Sequence, residues 1–344
     1  MTDNLLAKIR AMPKIELHRH LEGAVRLDTL VDIARKNGVE MPEYDVETIR
    51  PFVQMMPSEP RTWQNFLAKF QVLRQFFAPS ENICRITREA IIDAANDNVK
   101  YLELRFTPRA WNNSSDCPTH QIVAWACETA TQTAKEYDIQ VKLIVSMNRH
   151  ESLEIGHEAM KAAIDHKDLG VVGLDLAGVE VGYPAHLFRD IFHEASEAGL
   201  GITIHAGEWE GPQSIWDAIS SMKVDRIGHG IRVLEDYGVV NVLIDQGIIL
   251  EVCPSSNVDT GVVADMESHP LPRLIANNIK TTINTDDPLV SGITLSDEYY
   301  RVVQQTPLAL DDLKKHTLVA AQSAFLQDKA KAELVDKFQK LLYP

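Results

Sequence analysis

Short apolar stretches recur along this chain, and longer stretches with helical spacing separate most of them. Eight of the short stretches have the length and composition of buried strands: residues 15–20, 99–106, 141–147, 171–177, 201–205, 226–229, 247–253 and 280–284. Helical spacing is found in residues 118–137, 157–166, 184–198 and 213–221. Strands that alternate with helices predict a parallel sheet with right-handed crossovers. The pattern therefore predicts an α/β fold, a (β/α)8 TIM-type barrel.

The segment between the first two predicted strands, residues 21–98, is too long for an ordinary strand connection. We interpret it as a helical insertion that lies over the mouth of the barrel. It carries five aromatic residues that could roof an aromatic ligand: Trp63, Phe66, Phe70, Phe76 and Phe77. The alternative, which is the more common role of such aromatic stripes, is that they pack the insertion onto the barrel.

The length and apolar content of the chain fit one large domain. Barrels of this class often reach the 344 residues found here, and a hydrophobic content of 45% can fill a sizeable core. No internal repeat, low-complexity tract or flexible linker divides the sequence. We predict a single barrel domain over residues 1–344, with a helical lid insertion at about residues 21–98.

Net charge and targeting signals narrow the classes of partner. The chain has 49 acidic and 34 basic residues, a formal net charge of −15, without a clear basic patch. This charge disfavours binding to nucleic acids and to anionic membranes. Residues 1–13 lack a signal-peptide pattern, no apolar run is long enough to span a membrane, and the four cysteines form no CxxC pair. We expect a cytoplasmic protein, and its oligomeric state stays open.

Potential metal ligands stand at the ends of three predicted strands. His18 and His20 end the first strand with a spacing that turns both side chains to one face. His205 ends the fifth strand, and Asp286 follows the eighth. The carboxyl ends of parallel strands meet at one face of a barrel. An isolated His-x-His pair usually has no metal role, but its recurrence with other ligands at strand ends predicts a hydrolytic zinc site.

Three further residues lie where chemistry is expected. Glu208 follows the fifth strand, where its carboxyl group could face a substrate without binding the metal. His229 ends the sixth strand between two glycines, although a barrel histidine at such a place is more often simply hydrogen-bonded. Asp287 could face a ligand beside Asp286, or could cap the helix that begins at the next residue, a proline.

Six motifs in order along the chain resemble those of the adenosine deaminase family, within the metal-dependent amidohydrolase barrels. They are PKIELHRHLEG at residues 13–23, DLAG at 175–178, HAGE at 205–208, RIGHG at 226–230, CPSSN at 253–257 and NTDDP at 284–288. The resemblance spans nearly the whole chain. It implies one Zn²⁺ per chain and hydrolytic deamination of a purine nucleoside, by attack of zinc-bound hydroxide on purine C6.

The resemblance also implies a role for each matched residue. The zinc ligands would be His18, His20, His205 and Asp286. Glu208 would protonate purine N1, and His229 would orient or deprotonate the attacking water. The remaining substrate contacts would come from Asp287 at N7, the Gly178 backbone N–H at N3, and His20 and Glu22.

Glu22 leaves the substrate open. The adenosine branch of the family usually has Asp at this position, placed to contact the ribose, whereas Glu resembles relatives that act on adenine or aminodeoxyfutalosine. The DLAG motif at 175–178 is more similar to the adenosine branch. Glu22 continues the alternation of His18 and His20 into the predicted pocket, although a solvated loop carboxylate is an alternative. The sequence therefore favours adenosine and 2′-deoxyadenosine over these relatives' substrates.

Other functions are disfavoured to different degrees. Related barrels of the phosphotriesterase or dihydroorotase type bridge two metals with a modified Lys after strand four, and here that strand ends in DLAG without Lys. The H-x-E and P-C-x-x-C motifs of cytidine deaminases and the HExxH motif of zincins are absent. A non-catalytic binding protein is an alternative that the complete set of ligands, acid and base disfavours. Glu103 and Arg105 on the second strand could line the rim or pair with each other.

Overall fold

A computed structural model describes residues 2–41, 43–111 and 117–343. All eight predicted strands are present: β1 Lys14–His20, β2 Val99–Phe106, β3 Gln140–Asn148, β4 Val171–Ala177, β5 Gly201–Ala206, β6 Arg226–His229, β7 Ile249–Val252 and β8 Thr281–Ile283. Three of them match the prediction at both ends, and the others differ by one or two residues at an end. The strands are mostly buried on both faces of the sheet, and several of them carry buried polar residues among the apolar ones.

The strands form one parallel sheet in the order of the chain, β1 to β8. The sheet nearly closes between β8 and β1 through an isolated parallel bridge from Arg19 to Asp286. Two backbone hydrogen bonds support this seam, from the His20 N–H to the Asp286 carbonyl at 2.8 Å and from the Asp286 N–H to the His18 carbonyl at 3.1 Å. The predicted (β/α)8 TIM-type barrel is confirmed.

Helices surround the sheet. Their bounds are α1 Thr2–Ala11, α2 Leu27–Asn37, α3 Val46–Val53, α4 Trp63–Leu73, α5 Ser80–Asn96, α6 Pro108–Trp111, α7 Thr119–Glu136, α8 Leu153–Asp165, α9 Arg189–Glu197, α10 Pro212–Ser221, α11 Tyr237–Asp245, α12 Pro254–Asp259, α13 Leu271–Ala276, α14 Pro288–Ser291, α15 Leu295–Gln305, α16 Leu310–Ser323 and α17 Asp328–Leu342. Short 3₁₀ helices cover Arg74–Phe76, Lys167–Leu169, Ala185–Phe188 and Val233–Glu235.

The four predicted helices correspond to α7, α8, α10, and α9 with its preceding 3₁₀ turn. Helix α8 begins four residues earlier than predicted. The Ser152 side chain accepts a hydrogen bond from the Ile155 N–H and caps its first turn. This first turn projects the exposed side chain of Leu153 and was not part of the predicted helix. None of the helices in the described part of the chain combines the length and apolarity needed to cross a membrane.

Helices α2 to α5 lie within the predicted insertion, of which residue 42 falls outside the described part. Helix α5 packs against α7 and β2, as an outer helix of the barrel does. Helix α4 instead contributes side chains to a cavity at the carboxyl ends of the strands. The connection therefore supplies both a barrel helix and part of the cavity wall.

The opposite end of the barrel is filled by Phe325 and a buried arginine. The Arg226 guanidinium lies 3.5 Å from the centre of the Phe325 ring, and the Phe325 N–H donates to Glu103 Oε1 at 2.6 Å. A Cβ atom on Gly201 would lie 2.3 Å from the Phe325 ring, so this position requires glycine for the close approach. The floor is thus closed by side chains, and the cavity opens at the other end.

Candidate metal centre and active site

Four side chains converge at the carboxyl ends of β1, β5 and β8. One ligand atom from each of His18, His20, His205 and Asp286 lies within 4.8 Å of the corresponding atoms of the other three. The His18 Nε2 and His20 Nε2 atoms are 3.1 and 3.4 Å from Asp286 Oδ1, and the Nε2 atoms of His20 and His205 are 3.3 Å apart. Three imidazoles and one carboxylate in this arrangement fit a catalytic zinc ion.

A second overlapping group of possible ligands contains His18, His229, Cys253 and Asp286. A thiol binds a metal as thiolate. Burial raises the pKa of the Cys253 thiol well above its ordinary value, and the Asp286 charge raises it further. The group with three imidazoles and Asp286 therefore has the better donor set.

Two buried carboxylates orient the histidine rings. Glu251 Oε2 lies 2.8 Å from His18 Nδ1, and Asp175 Oδ1 lies 2.9 Å from His205 Nδ1. With Nδ1 bound in this way, Nε2 of each ring faces the cluster, as is usual for metal-bound histidines. The Ser146 hydroxyl holds the other oxygen of Asp175 at 2.8 Å. The sequence reasoning assigned no such role to Glu251 or Asp175. The signal for Glu251 was an acidic residue inside an apolar strand, and Asp175 stood in the DLAG motif.

Arginines below the cluster keep these carboxylates charged. Arg105 Nη2 donates to Glu251 Oε2 at 2.7 Å, and Arg105 Nη1 lies 3.5 Å from Asp175 Oδ1. Burial alone would raise the pKa of Glu251, but the charges of Arg105 and Arg226 lower it well below its ordinary value. For Asp175, burial likewise opposes the charges of His205 and Arg105, which lower its pKa.

The alternatives considered for Glu103 and Arg105 were both wrong. Each side chain is fully buried inside the barrel, so neither lies on the rim. Arg105 pairs with Glu251, whereas Glu103 Oε2 accepts a hydrogen bond from Arg226 at 2.6 Å. Residues two apart on a strand face the same side, but here each reaches a different strand across the barrel.

Glu208 and His229 meet beside the cluster. Glu208 Oε2 lies 3.5 Å from His229 Nε2, which is 3.8 Å from Asp286 Oδ2. Burial raises the pKa of Glu208 well above its ordinary value, and the charges of Asp286 and Glu180 raise it further. Burial lowers the pKa of His229. The site therefore favours a protonated carboxyl group next to a neutral imidazole.

Side chains of α12 form hydrogen bonds with His229 and Asp286, the two groups beside Glu208. The Asn257 amide lies 3.1 Å from His229 Nδ1, and the Ser256 hydroxyl donates to Asp286 Oδ2 at 2.7 Å. His229 and Asp286 both have positive φ, 60° and 62°, a conformation that side chains other than glycine rarely adopt. Such backbone strain is concentrated at functional sites.

A cavity of about 230 Å³ opens beside the cluster. Nine residues were assigned from the sequence, and of these His18 lies behind the cavity wall. The other eight line the cavity: His20, Glu22, Gly178, His205, Glu208, His229, Asp286 and Asp287. Glu22 accepts a hydrogen bond from the Thr107 N–H at 2.6 Å, and burial raises its pKa to about 7. Asp287 is buried, and its pKa is raised by burial and then by Asp286.

The five aromatic residues considered as a roof divide between the two interpretations. Phe66 and Phe70 line the cavity, as expected for a roof. Phe76 and Phe77 are fully buried, and Phe77 stacks on Trp111, so these two pack the insertion onto the barrel. Trp63 stacks instead on Trp209, a residue of the cavity wall, with ring centres 5.2 Å apart.

Glu180 was not singled out from the sequence. Its Oε1 accepts a hydrogen bond from the Gly207 N–H at 2.6 Å, and its Oε2 accepts from the backbone N–H groups of Glu208, Trp209 and Glu210 at 3.2, 2.7 and 3.0 Å. One carboxylate thus holds the entire loop that carries Glu208. The only sequence signal was an acidic residue two positions after Gly178.

The sequence of the chain is similar to those of known proteins from one family. A family model described as adenosine deaminase matches residues 13–341. An adenosine deaminase from Klebsiella pneumoniae subsp. pneumoniae is 33% identical over 330 residues, which cover 96% of this chain and 98% of that protein. The chain belongs to the adenosine deaminase family. It is therefore a metal-dependent hydrolase of the amidohydrolase type, and the resemblance noted from its motifs is confirmed.

Solved structures of similar fold have several stated ligands and activities. An adenine deaminase from Arthrobacter aurescens has a TM-score of 0.88 and 27% identity, covering 97% of this chain and 100% of its own. Arabidopsis ADAL complexed with GMP has a TM-score of 0.85 and 26% identity, with coverage of 97% and 98%. A Burkholderia ambifaria amidohydrolase with bound Zn has a TM-score of 0.87 and 25% identity, with coverage of 98% and 93%.

Proposed function

We propose that this chain is a zinc-dependent deaminase of adenosine and 2′-deoxyadenosine, forming inosine or 2′-deoxyinosine and ammonia. The carrying observation is the buried Glu208 carboxyl group, with its raised pKa, beside three imidazoles and Asp286. The names of the curated relatives and the Zn in a solved neighbour support the substrate and the metal. We further propose a single cytoplasmic domain in which helices of residues 21–98 form a lid.

The residues divide the work of the reaction. His18, His20, His205 and Asp286 would hold the metal. When bound, zinc supplies the Lewis acidity that makes water a nucleophile near neutral pH. His229, neutral because it is buried, can take the proton of that water as it attacks C6.

Glu208 would supply the opposite proton. Attack at C6 moves an electron pair onto purine N1, and the proton of Glu208 would go to that nitrogen. Asp287 would hydrogen-bond N7, the Gly178 N–H would meet N3, and Glu22 and His20 would contact the sugar. The C6–N bond would then break as the amino group takes up the proton held by His229 and leaves as ammonia. The ring would keep the oxygen at C6, whose remaining proton would return to the Glu208 carboxylate.

The proposed activity is tested by ammonia release from adenosine by zinc-replete protein, with adenine and aminodeoxyfutalosine assayed at equal concentration. We expect the highest kcat/KM for adenosine. Preference for either of the other compounds would move the substrate to that branch while retaining the chemistry. If none of the three releases ammonia faster with wild-type protein than with the matched Glu208→Gln variant, the proposed function is wrong.

A further inference from the structure

Glu180 is a buried carboxylate on the loop after β4. It lies behind the cavity wall, to which Gly178 and Val179 of the same loop contribute. No lysine or arginine forms an ion pair with it in the ranges that the structure describes. A buried charge is costly unless hydrogen bonds compensate it. The partners of this carboxylate are the four backbone N–H groups of residues 207–210, at 2.6 to 3.2 Å.

These four N–H groups belong to one short connection. Strand β5 ends at Ala206 and helix α10 begins at Pro212, so residues 207–211 join them. Buried backbone N–H groups outside helices and sheets need partners from elsewhere in the chain. One oxygen of Glu180 accepts the first N–H group, and the other oxygen accepts the next three. A single side chain from another loop thus binds the N–H groups of four of the five residues in this connection.

The carbonyl groups of the same connection are held from a third loop, which follows β6. Gly207 opens the connection with a φ of 67°, in the left-handed region that favours glycine. The Arg232 N–H donates to the Gly207 carbonyl at 3.2 Å, and Arg232 Nη1 donates to the Trp209 carbonyl at 2.8 Å. Glu180 and Arg232 together therefore fix the backbone around Glu208.

Glu208 is the residue of this connection whose position matters for the proposed chemistry. Its Oε2 atom lies 3.5 Å from His229 Nε2, and both residues line the cavity. A proton donor acts within hydrogen-bond distance of the atom that it protonates, and a displacement of about 1 Å can lower a rate by about 100-fold. The backbone of Glu208 determines where its side chain starts, so a shift of this connection would move the carboxyl group.

We infer that Glu180 is a positioning residue, which holds the Glu208 carboxyl group in place for proton transfer without contacting the substrate. The inference rests on the proposed function and adds a supporting residue to the same site. Two other roles would have different kinetic signatures. A purely structural Glu180 would affect the amount of active protein, and an effect through Gly178 on its own loop would affect substrate binding and therefore KM.

Glu180→Gln is the first test, since its single carbonyl oxygen cannot accept all four N–H groups. We expect kcat per bound zinc to fall about tenfold, because a misplaced acid loses part of the factor of about 100 or more that such catalysis contributes. KM and zinc content should stay close to the wild-type values. A rise in KM at unchanged kcat would place the effect at Gly178 and contradict the inference.

Glu180→Asp separates position from charge. Aspartate keeps the negative charge and both oxygens but is shorter by a methylene group, so it cannot reach the four N–H groups from the same backbone position. We expect kcat to fall in this variant as well. Wild-type kcat in Glu180→Asp, together with a loss in Glu180→Gln, would mean that the charge of Glu180 and not the place of the loop affects the reaction, and the inference would be wrong.

A double-mutant cycle with Glu208→Gln shows whether the two residues act together. Once the proton donor is absent, its position no longer matters. Glu180→Gln should therefore lower kcat much less in the Glu208→Gln background than in the wild type. An equal fall in both backgrounds would show that Glu180 does not act through Glu208.

Asp225→Asn is the matched control. Asp225 Oδ2 accepts a hydrogen bond from the Ile202 N–H at 2.8 Å, at the other end of β5. This substitution also replaces a carboxylate that binds the backbone, but far from Glu208, so kcat should stay at the wild-type value. A loss as large as that in Glu180→Gln would indicate general destabilisation and would count against positioning.

Amide hydrogen exchange of the peptide that contains residues 207–210 reports on the contact without turnover. Exchange should be faster in Glu180→Gln than in the wild type and unchanged in Asp225→Asn. Equal exchange in Glu180→Gln and the wild type would show that other groups hold the connection, and the inference would be wrong. Wild-type protein that releases no more ammonia than Glu208→Gln would instead overturn the proposed function, whereas the exchange result would stand.

Discussion

Glu208 carries a proton because it is buried and surrounded by negative charge. No arginine or lysine forms an ion pair with it among the described residues, whereas Asp286 and Glu180 both raise its pKa. Elsewhere in the barrel, the carboxylates Glu251 and Asp175 have arginine neighbours and stay charged. Carboxyl groups that lie beside the proposed ligands thus differ in charge because of their neighbours.

Replacement of this proton donor is the first prediction. Glu208→Gln should lower kcat by at least about 100-fold, since general acid catalysis typically contributes factors of this size. The metal content should stay unchanged because Glu208 does not belong to either group of potential ligands. Stopped-time ammonia assays and metal analysis on the same preparation measure both quantities, and near-normal turnover would contradict the assigned role.

Glu298 predicts a pH dependence of stability away from the site. It is fully buried, accepts a hydrogen bond from the Ser255 N–H at 2.8 Å, and burial raises its pKa from 4.5 to about 7. Between these values the folded state binds more protons than the unfolded state, so the free energy of unfolding decreases as pH rises. The decrease ends above about pH 7.

Glu298→Gln should remove this contribution. At pH 8 we expect the variant to be more stable than the wild type by about 3 kcal/mol, from about 1.4 kcal/mol per pKa unit. At pH 4.5 the difference should be small. Urea denaturation at both pH values measures the difference in the free energy of unfolding. Equal stability of the two proteins at pH 8 would contradict a destabilising effect of the buried carboxylate.

At the level of single residues, the sequence indicated those that lie in motifs and missed those that support them. His18, His20 and Glu208 could be named because strand ends and motif spacing locate them along the chain. Glu251 and Glu180 could not, because their partners are distant in sequence or are backbone groups.

The strands of the barrel were easier to predict than their ends. The predicted bounds of β2 and β4 agree with the structure, although both strands carry charged residues among the apolar ones. The predicted strand at 247–253 was too long, since Gly247 has φ of 70° and belongs to the preceding turn, while Cys253 precedes α12. Apolar composition reports burial, and burial continues beyond the residues that pair in the sheet.

The loop after β1 packs closely against Asp287 through Gly23. A Cβ atom on Gly23 would lie 1.9 Å from Asp287 Oδ1, and the Gly23 carbonyl accepts a hydrogen bond from the Leu289 N–H at 2.7 Å. Gly23→Ala should therefore displace Asp287 and lower kcat/KM at least about tenfold. This fall corresponds to an increase of about 1.4 kcal/mol in the activation free energy.

Gly211→Ala is the matched control, because its Cβ would first meet the flexible end of the Gln213 side chain, at 3.2 Å. Steady-state kinetics of both variants decide the point. Unchanged kcat/KM in Gly23→Ala would mean that the two loops move apart without consequence for Asp287.

The proposed metal ligands lie at the seam of the barrel, so a bound ion would join parts of the chain that the sheet joins only weakly. The described seam between β8 and β1 has an isolated bridge from Arg19 to Asp286, and the proposed ligands come from β1, β5 and Asp286 of this bridge. Removal of the metal should therefore lower stability, by about 4 kcal/mol when the ion is a thousandfold above its dissociation constant.

Thermal unfolding of zinc-loaded and chelator-treated protein measures this effect. We expect zinc to restore the transition temperature of the wild type and to have a smaller effect on Asp286→Asn, which weakens the ligand set. An identical response of the two proteins to zinc would place the ion elsewhere.

An unbroken series of contacts runs through the barrel from floor to cluster. The Phe325 N–H binds Glu103, Glu103 binds Arg226, Arg226 Nε lies 2.6 Å from Glu251 Oε1, and Glu251 holds His18. Substitutions at the floor would consequently affect a proposed metal ligand at the other end of the barrel. Directed-evolution libraries restricted to the mouth would omit positions that tune the reaction, and grafting these active-site loops onto another barrel would have to transfer its interior too.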